Sequence, residues 1–113
     1  MRWNGWSADP PLLIAVVGSS EATPQEAEWA HRVGRGLAEA GAVVICGGRG
    51  GVMEAVCRGA VEAGGWTVGI LPGIDHREAN PYVRLPLPTG LGEVRNALVV
   101  RAAHAVIAIG GEF

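Results

Sequence analysis

The feature that most limits the fold is a repeated punctuation: apolar runs that end in glycine or proline-glycine, separated by helix-like segments. The runs are "LLIAVVG" (Leu12–Gly18), "VVIC" (Val43–Cys46) leading into "GGRGG" (Gly47–Gly51), "WTVGIL" (Trp66–Leu71) before Pro72-Gly73, and "AVIAIGG" (Ala105–Gly111). Apolar runs of this length, without polar alternation, read as strands buried on both faces. The first intervening helix opens at "TPQE", where Thr23 can cap, Pro24 suits the first helical position and Glu26 closes a capping box. It runs to about Ala40, with Ala30, Val33, Leu37 and Ala38 on one face, and stops at Gly41. A second helix, about Val52–Ala63, turns Val52, Val56, Ala60 and Ala63 inward and repeats Glu54, Arg58 and Glu62 on a solvated face. "VRLPL" (Val83–Leu87) reads as a short strand that Pro86 assigns to a sheet edge. A third helix spans about Leu91–Ala103, and "IDHREANPY" before the edge strand is a polar loop.

The order β-α-β-α-β-(β)-α-β with short connections implies a mostly parallel sheet with helices on both faces, an α/β three-layer sandwich. The 113 residues suffice for one domain. Residues 1–11 form an irregular lead-in with Trp3 and Trp6, and residues 12–113 form the domain. No helix follows the last strand, so one sheet face is expected to be incomplete at the C-terminal end, through truncation or because a partner completes it.

Composition removes several classes of function. The formal net charge of −2 gives no general attraction to nucleic acid or an anionic membrane, so an anion site must be local. All nine basic residues are arginine. Without lysine there is no Schiff base to pyridoxal phosphate, no Walker A lysine and no lysine general base. Cys46 and Cys57 lie in apolar segments and read as core thiols in a reducing cytosol. His31, His76 and His104 share no metal-ligand spacing, and no metal is expected. His31 reads as a solvated helix residue, His76 as a loop residue and His104 as a helix-end residue whose positive form is favoured there. No stretch of about 18 apolar residues is present to span a membrane, and the N-terminus has no apolar run beside its charge, so a cytoplasmic protein is expected.

In parallel α/β sheets ligands bind outside the carboxyl ends of the strands. Here those ends gather Gly18, Ser19 and Ser20; Gly47, Gly48, Arg49, Gly50 and Gly51; Thr89, Gly90 and Gly92; and Gly110 and Gly111. Several precede helices, whose first N–H groups attract anions. The glycine run after the second strand is not a dinucleotide fingerprint, because counting from Gly48 puts Met53 at the third glycine position. Arg49 instead places a guanidinium in a glycine turn, suited to a bidentate phosphate contact or simply to solvent. Arg95 and Asn96 open the third helix near the same edge, and read as phosphate and ribose or base contacts or as ordinary exposed helix residues.

The run "GGRGGVMEAV", then "AGGWTVGILPG", "ANPY" and "LPTGLGEVRNALVVRAAHAVIAIGG" resembles the LOG-like superfamily of Rossmann-type proteins. The superfamily includes the cytokinin-riboside-monophosphate phosphoribohydrolases (often misnamed lysine decarboxylases), the molybdenum-cofactor carrier proteins and, more distantly, DNA-processing protein A. The resemblance runs from Leu12 almost to the end and is nearest to the cofactor carriers. It implies a Rossmann-like fold, a nucleotide-like phosphorylated ligand on the glycine loops and a homo-oligomer. In the phosphoribohydrolases an arginine at the place of Arg95 works with a glutamate in P-G-G-x-G-T-x-x-E. "IGGEF" reaches only the front of that motif, with Gly110 where proline is usual and Glu112 where glycine is usual.

Two functions follow as expectations. One is a carrier that holds a phosphorylated ligand, molybdenum cofactor or a nucleoside monophosphate, on backbone amides with Arg49 and Arg95. The other is an N-glycosidic hydrolase of nucleoside 5′-monophosphates in a longer parent. Its oxocarbenium-like transition state needs a carboxylate that has no counterpart in these residues. DNA handling is disfavoured by the charge.

Overall fold

The computed structural model describes residues 10–110; Trp3, Trp6, Gly111 and Glu112 lie outside them. Five strands form one sheet: β1 (Leu13–Gly18), β2 (Val43–Cys46), β3 (Thr67–Leu71), β4 (Leu85–Pro88) and β5 (Ala105–Ile109). Their spatial order is β4-β3-β2-β1-β5, and every neighbouring pair is parallel. The chain steps outward from β1 to β4, then returns to lay β5 on the other side of β1. Pro86 does lie in an edge strand, where a missing N–H costs no ladder bond.

Helices α1 (Pro24–Glu39) and α2 (Val52–Glu62) cover one face. Val16, Val44 and Cys46 point from the sheet into a core with Ala30, Val52, Val56, Cys57 and Ala60. The capping box forms as expected: Thr23 Oγ1 accepts from the Glu26 N–H at 3.1 Å, and Glu26 Oε1 accepts from the Thr23 N–H at 3.0 Å. The two helices cross backbone to backbone. A Cβ on Gly34 would stand 2.0 Å from the Val56 carbonyl oxygen, and one on Gly59 would stand 2.0 Å from that of His31. Their rims are tied by His31 Nε2 to Glu62 Oε1 at 2.7 Å, so His31 is an interhelical partner and not a freely solvated residue.

The opposite face carries α3 (Arg95–Ala102), whose Val99 packs on Ala15, Ile45 and Ile70. A short 3-10 turn at Gly92–Val94 leads into it, so the regular helix begins later than its periodicity suggests. Val106, Leu85 and Leu87, which share this face by register, remain about half exposed on either side of α3. His104 is fixed rather than frayed. Its Nδ1 accepts the Leu13 N–H at 3.0 Å, which requires an unprotonated Nδ1, and its own N–H donates to the Leu13 carbonyl at 2.8 Å. No described helix is long and apolar enough to cross a membrane.

Candidate functional site

A cleft of about 640 Å³ opens at the carboxyl ends of β1, β2 and β3, roofed by the start of α3. Its walls include Val16, Val17 and Gly18 of β1, Gly47, Arg49 and Gly50 after β2, Pro72 after β3, and Glu93, Arg95 and Asn96 at the head of α3. Ser20 and Met53 complete the polar and apolar sides near the glycine loop.

Arg95 is the centre of this cleft. Its side chain is 6% exposed, although it stands on an otherwise exposed turn. Room for the guanidinium comes from Gly47, where any Cβ would lie 2.8 Å from Nη2. Nη2 donates to the Gly47 carbonyl at 3.4 Å, and Nη1 donates to Glu93 Oε2 at 3.2 Å and to Asn96 Oδ1. Among the described residues, Nε is buried with no acceptor. A guanidinium this deep carries a desolvation cost of several kcal/mol that a full set of acceptors must offset. Among the described residues its carboxylate partner is Glu93, whose side chain is 80% exposed. Among the described residues the site therefore holds a buried cation with one nitrogen left unpaired, facing a cavity.

The glycine loop is held from behind. Gly51, at φ 64°, turns the chain into α2 so closely that a Cβ would meet the Ser19 carbonyl oxygen at 2.3 Å. That oxygen accepts the Val52 N–H at 3.0 Å. No side chain caps α2, so its N-terminus keeps a partial positive charge beside the cleft. Gly48 packs against Leu71, and its N–H donates to Cys46 Sγ at 3.3 Å. Cys46 and Cys57 are free thiols with their sulfurs 3.5 Å apart beneath the loop. The hydrogen bond to Cys46, together with burial, holds the Cys57 thiol far above the ordinary thiol range.

Asn80 is a structural residue that sequence reasoning missed. It is buried, and its Nδ2 donates to the Arg49 carbonyl at 2.8 Å while its backbone N–H donates to the Gly48 carbonyl at 2.8 Å. Oδ1 accepts the Tyr82 N–H at 2.9 Å. A short polar side chain just before Pro81 was the available signal.

The sequence-derived site residues fall into two groups. Gly18, Ser20, Gly47, Arg49, Gly50, Arg95 and Asn96 line the cleft together. Arg49 presents an exposed side chain at its mouth. Ser19, Gly48, Gly51, Thr89, Gly90, Gly92 and Gly110 shape the surrounding backbone instead. Ser19 Oγ accepts the Glu21 N–H at 3.0 Å, and Thr89 Oγ1 donates to the Leu71 carbonyl at 2.7 Å. Gly90 and Gly92 donate to the carbonyls of Gly73 and Pro72, and Gly110 backs onto the Glu26 carboxylate. Gly111 lies outside the described residues.

A parallel sheet that doubles back beside its first strand, with a cleft over its carboxyl ends, defines a Rossmann-like protein. Residues 11–113 match the SLOG cluster4 family, and the chain belongs to it. It is 39% identical over 102 residues to an uncharacterised protein of Archaeoglobus fulgidus, covering 90% of this chain and 67% of that one. Among solved structures it is similar to the molybdenum cofactor binding protein of Rippkaea orientalis, with a TM-score of 0.89 and 38% identity over 92% of this chain and 65% of that one. The molybdenum cofactor carrier protein of Chlamydomonas reinhardtii matches with a TM-score of 0.81 and 32% identity, over 89% of this chain and 64% of that one. DNA processing protein A of Helicobacter pylori, at 24% identity and a TM-score of 0.66, shares the fold. The chain thus spans a little under two thirds of the two cofactor-protein chains.

Proposed function

We propose that this protein binds a phosphorylated, nucleotide-like small molecule in the cleft, and that molybdenum cofactor is the foremost candidate. The observation that carries the reading is Arg95: a buried guanidinium whose Nε has no partner among the described residues, lining a cavity beside a helix N-terminus without a side-chain cap. Phosphate supplies the acceptors that this cation lacks, in the geometry a guanidinium favours. A cavity of about 640 Å³ is within the range for a pterin or nucleoside carrying one phosphate. Arg95, Asn96 and the backbone of Gly47, Arg49 and Gly50 would hold the phosphate end, with the Arg49 side chain closing the mouth. Val16, Val17 and Val99 offer the apolar wall for a ring system.

The similarity to two molybdenum cofactor proteins supports this ligand over other phosphates. Hydrolysis of nucleoside 5′-monophosphates is the second reading. Glu93, the one carboxylate among the described cleft residues, is engaged by Arg95 and Asn96, which favours binding over bond cleavage. A cytosolic setting goes with the two free thiols. Self-association goes with the half-exposed Val106, Leu85 and Leu87 beside α3, and sedimentation would report it directly.

Calorimetry tests the reading. Wild-type protein should bind adenosine monophosphate and isolated molybdopterin, and Arg49→Ala should weaken both about tenfold by removing one charge-assisted contact. Absence of binding to every phosphate ligand by the wild type would overturn it.

A further inference from the structure

Glu93 is an odd wall for an anion site. It stands on the 3-10 turn before α3 and turns its carboxylate into the cleft. There Oε2 accepts from Arg95 Nη1 at 3.2 Å and from Asn96 Nδ2 at 3.1 Å, so one oxygen takes both donors. These are the donors that an incoming phosphate would use. The asymmetry of exposure decides which partner can leave: Arg95 is 6% exposed and Glu93 80%. The cation is fixed in the protein, and the anion sits at its surface on a side chain with freedom to swing into water.

We propose that the Glu93 carboxylate is a built-in surrogate for the ligand's anion, and that it sets the cleft's preference for phosphate esters over carboxylates. The inference rests on reading the cleft as a phosphate site. Without ligand, Glu93 lessens the cost of the buried guanidinium. A ligand binds by exchange: its anion takes Nη1 and Nδ2, and Glu93 rotates outward to be solvated. The tethered carboxylate acts at a high effective concentration, so a free carboxylate, which offers the same two-oxygen group, gains nothing by replacing it. A phosphate ester wins because it brings more charge and a third oxygen. It can hold Arg95, Asn96 and the loop amides at once. Glu93 thus keeps abundant carboxylic acids out of a cleft whose cation would otherwise accept them.

The test compares wild type, Glu93→Gln and the remote surface variant Glu28→Gln. Glu28 pairs only with Arg32 along α1 among the described contacts. Inorganic phosphate, adenosine monophosphate and succinate are titrated into each protein, with melting temperature as the check on folding. Glu93→Gln should bind both phosphate ligands about tenfold more tightly, because the competing charge-assisted contact is gone, and it should acquire succinate binding. Glu28→Gln should behave as wild type. Phosphate binding by Glu93→Gln at or below the wild-type level, with succinate still excluded, would overturn the surrogate role while leaving the phosphate reading intact. Failure of both proteins to bind any phosphate ligand would overturn the two together.

Discussion

Asn80 hydrogen-bonds to the carbonyls of Gly48 and Arg49 in the glycine loop and accepts from the N–H of Tyr82 in its own turn. Asn80→Ala removes the two side-chain bonds and leaves buried polar partners unsatisfied, so it should destabilise the fold by about 1–3 kcal/mol in urea titrations. A solvated loop residue would change stability by no more than about 0.5 kcal/mol. Single residues were the least legible level of the sequence. Gly47, Arg49, Arg95 and Asn96 could be gathered to one edge because strand ends share an edge. The Arg49 carbonyl that meets Asn80 and the Gly47 carbonyl that meets Arg95 could not, because they lie 31 and 48 positions away and depend on which carbonyls the fold leaves over. The same holds for His104, whose ring accepts from Leu13 across 91 positions. The register of β1 beside β5 brings that N–H to the ring.

At the scale of elements, the packing of α1 on α2 governs one half of the molecule. Two glycines in α1 separate its two sides. A Cβ on Gly34 meets the Val56 carbonyl, whereas one on Gly36 meets nothing within 4 Å. Gly34→Ala should therefore cost roughly 2–4 kcal/mol by forcing the helices apart. Gly36→Ala should stabilise by up to about 1 kcal/mol through helix propensity alone. Thermal melts of the pair read the difference. The ion pairs on the rim add a pH dependence. Hydrogen bonds from His31 and from Arg58 hold the Glu62 carboxyl below the usual carboxylate range in the folded protein. The contribution is thus fully present above the unfolded value of about 4.3, and it is lost as pH falls through the lower folded value. Urea titrations across that acidic window should show wild type losing stability more steeply than Glu62→Gln. Elements were the most legible level: the capping box at Thr23 and the edge position of Pro86 both follow from local chemistry. The 3-10 turn before α3 did not, since "GEVR" carries the same apolar spacing either way.

Over the whole molecule, one sheet carries two unequal coats. α1 and α2 bury their side thoroughly, and among the described residues α3 alone serves the other, with the cleft at its head. A ligand at one hundred times its dissociation constant should stabilise such a domain by about 2.7 kcal/mol. For a chain near one hundred residues that is a rise of roughly 10–20 °C in melting temperature. Adenosine monophosphate should produce this shift in wild type and not in Arg95→Ala, measured relative to each protein's own ligand-free melt. The Asn80 clasp adds a consequence in time. A loop already fastened at Gly48 and Arg49 has no ordering left to do when a ligand arrives. Capture should then proceed in a single exponential phase whose rate rises linearly with ligand concentration until the release of Glu93 from Arg95 limits it. Any plateau in that rate measures how fast Glu93 lets go of Arg95, so a stopped-flow trace becomes a clock on one side chain.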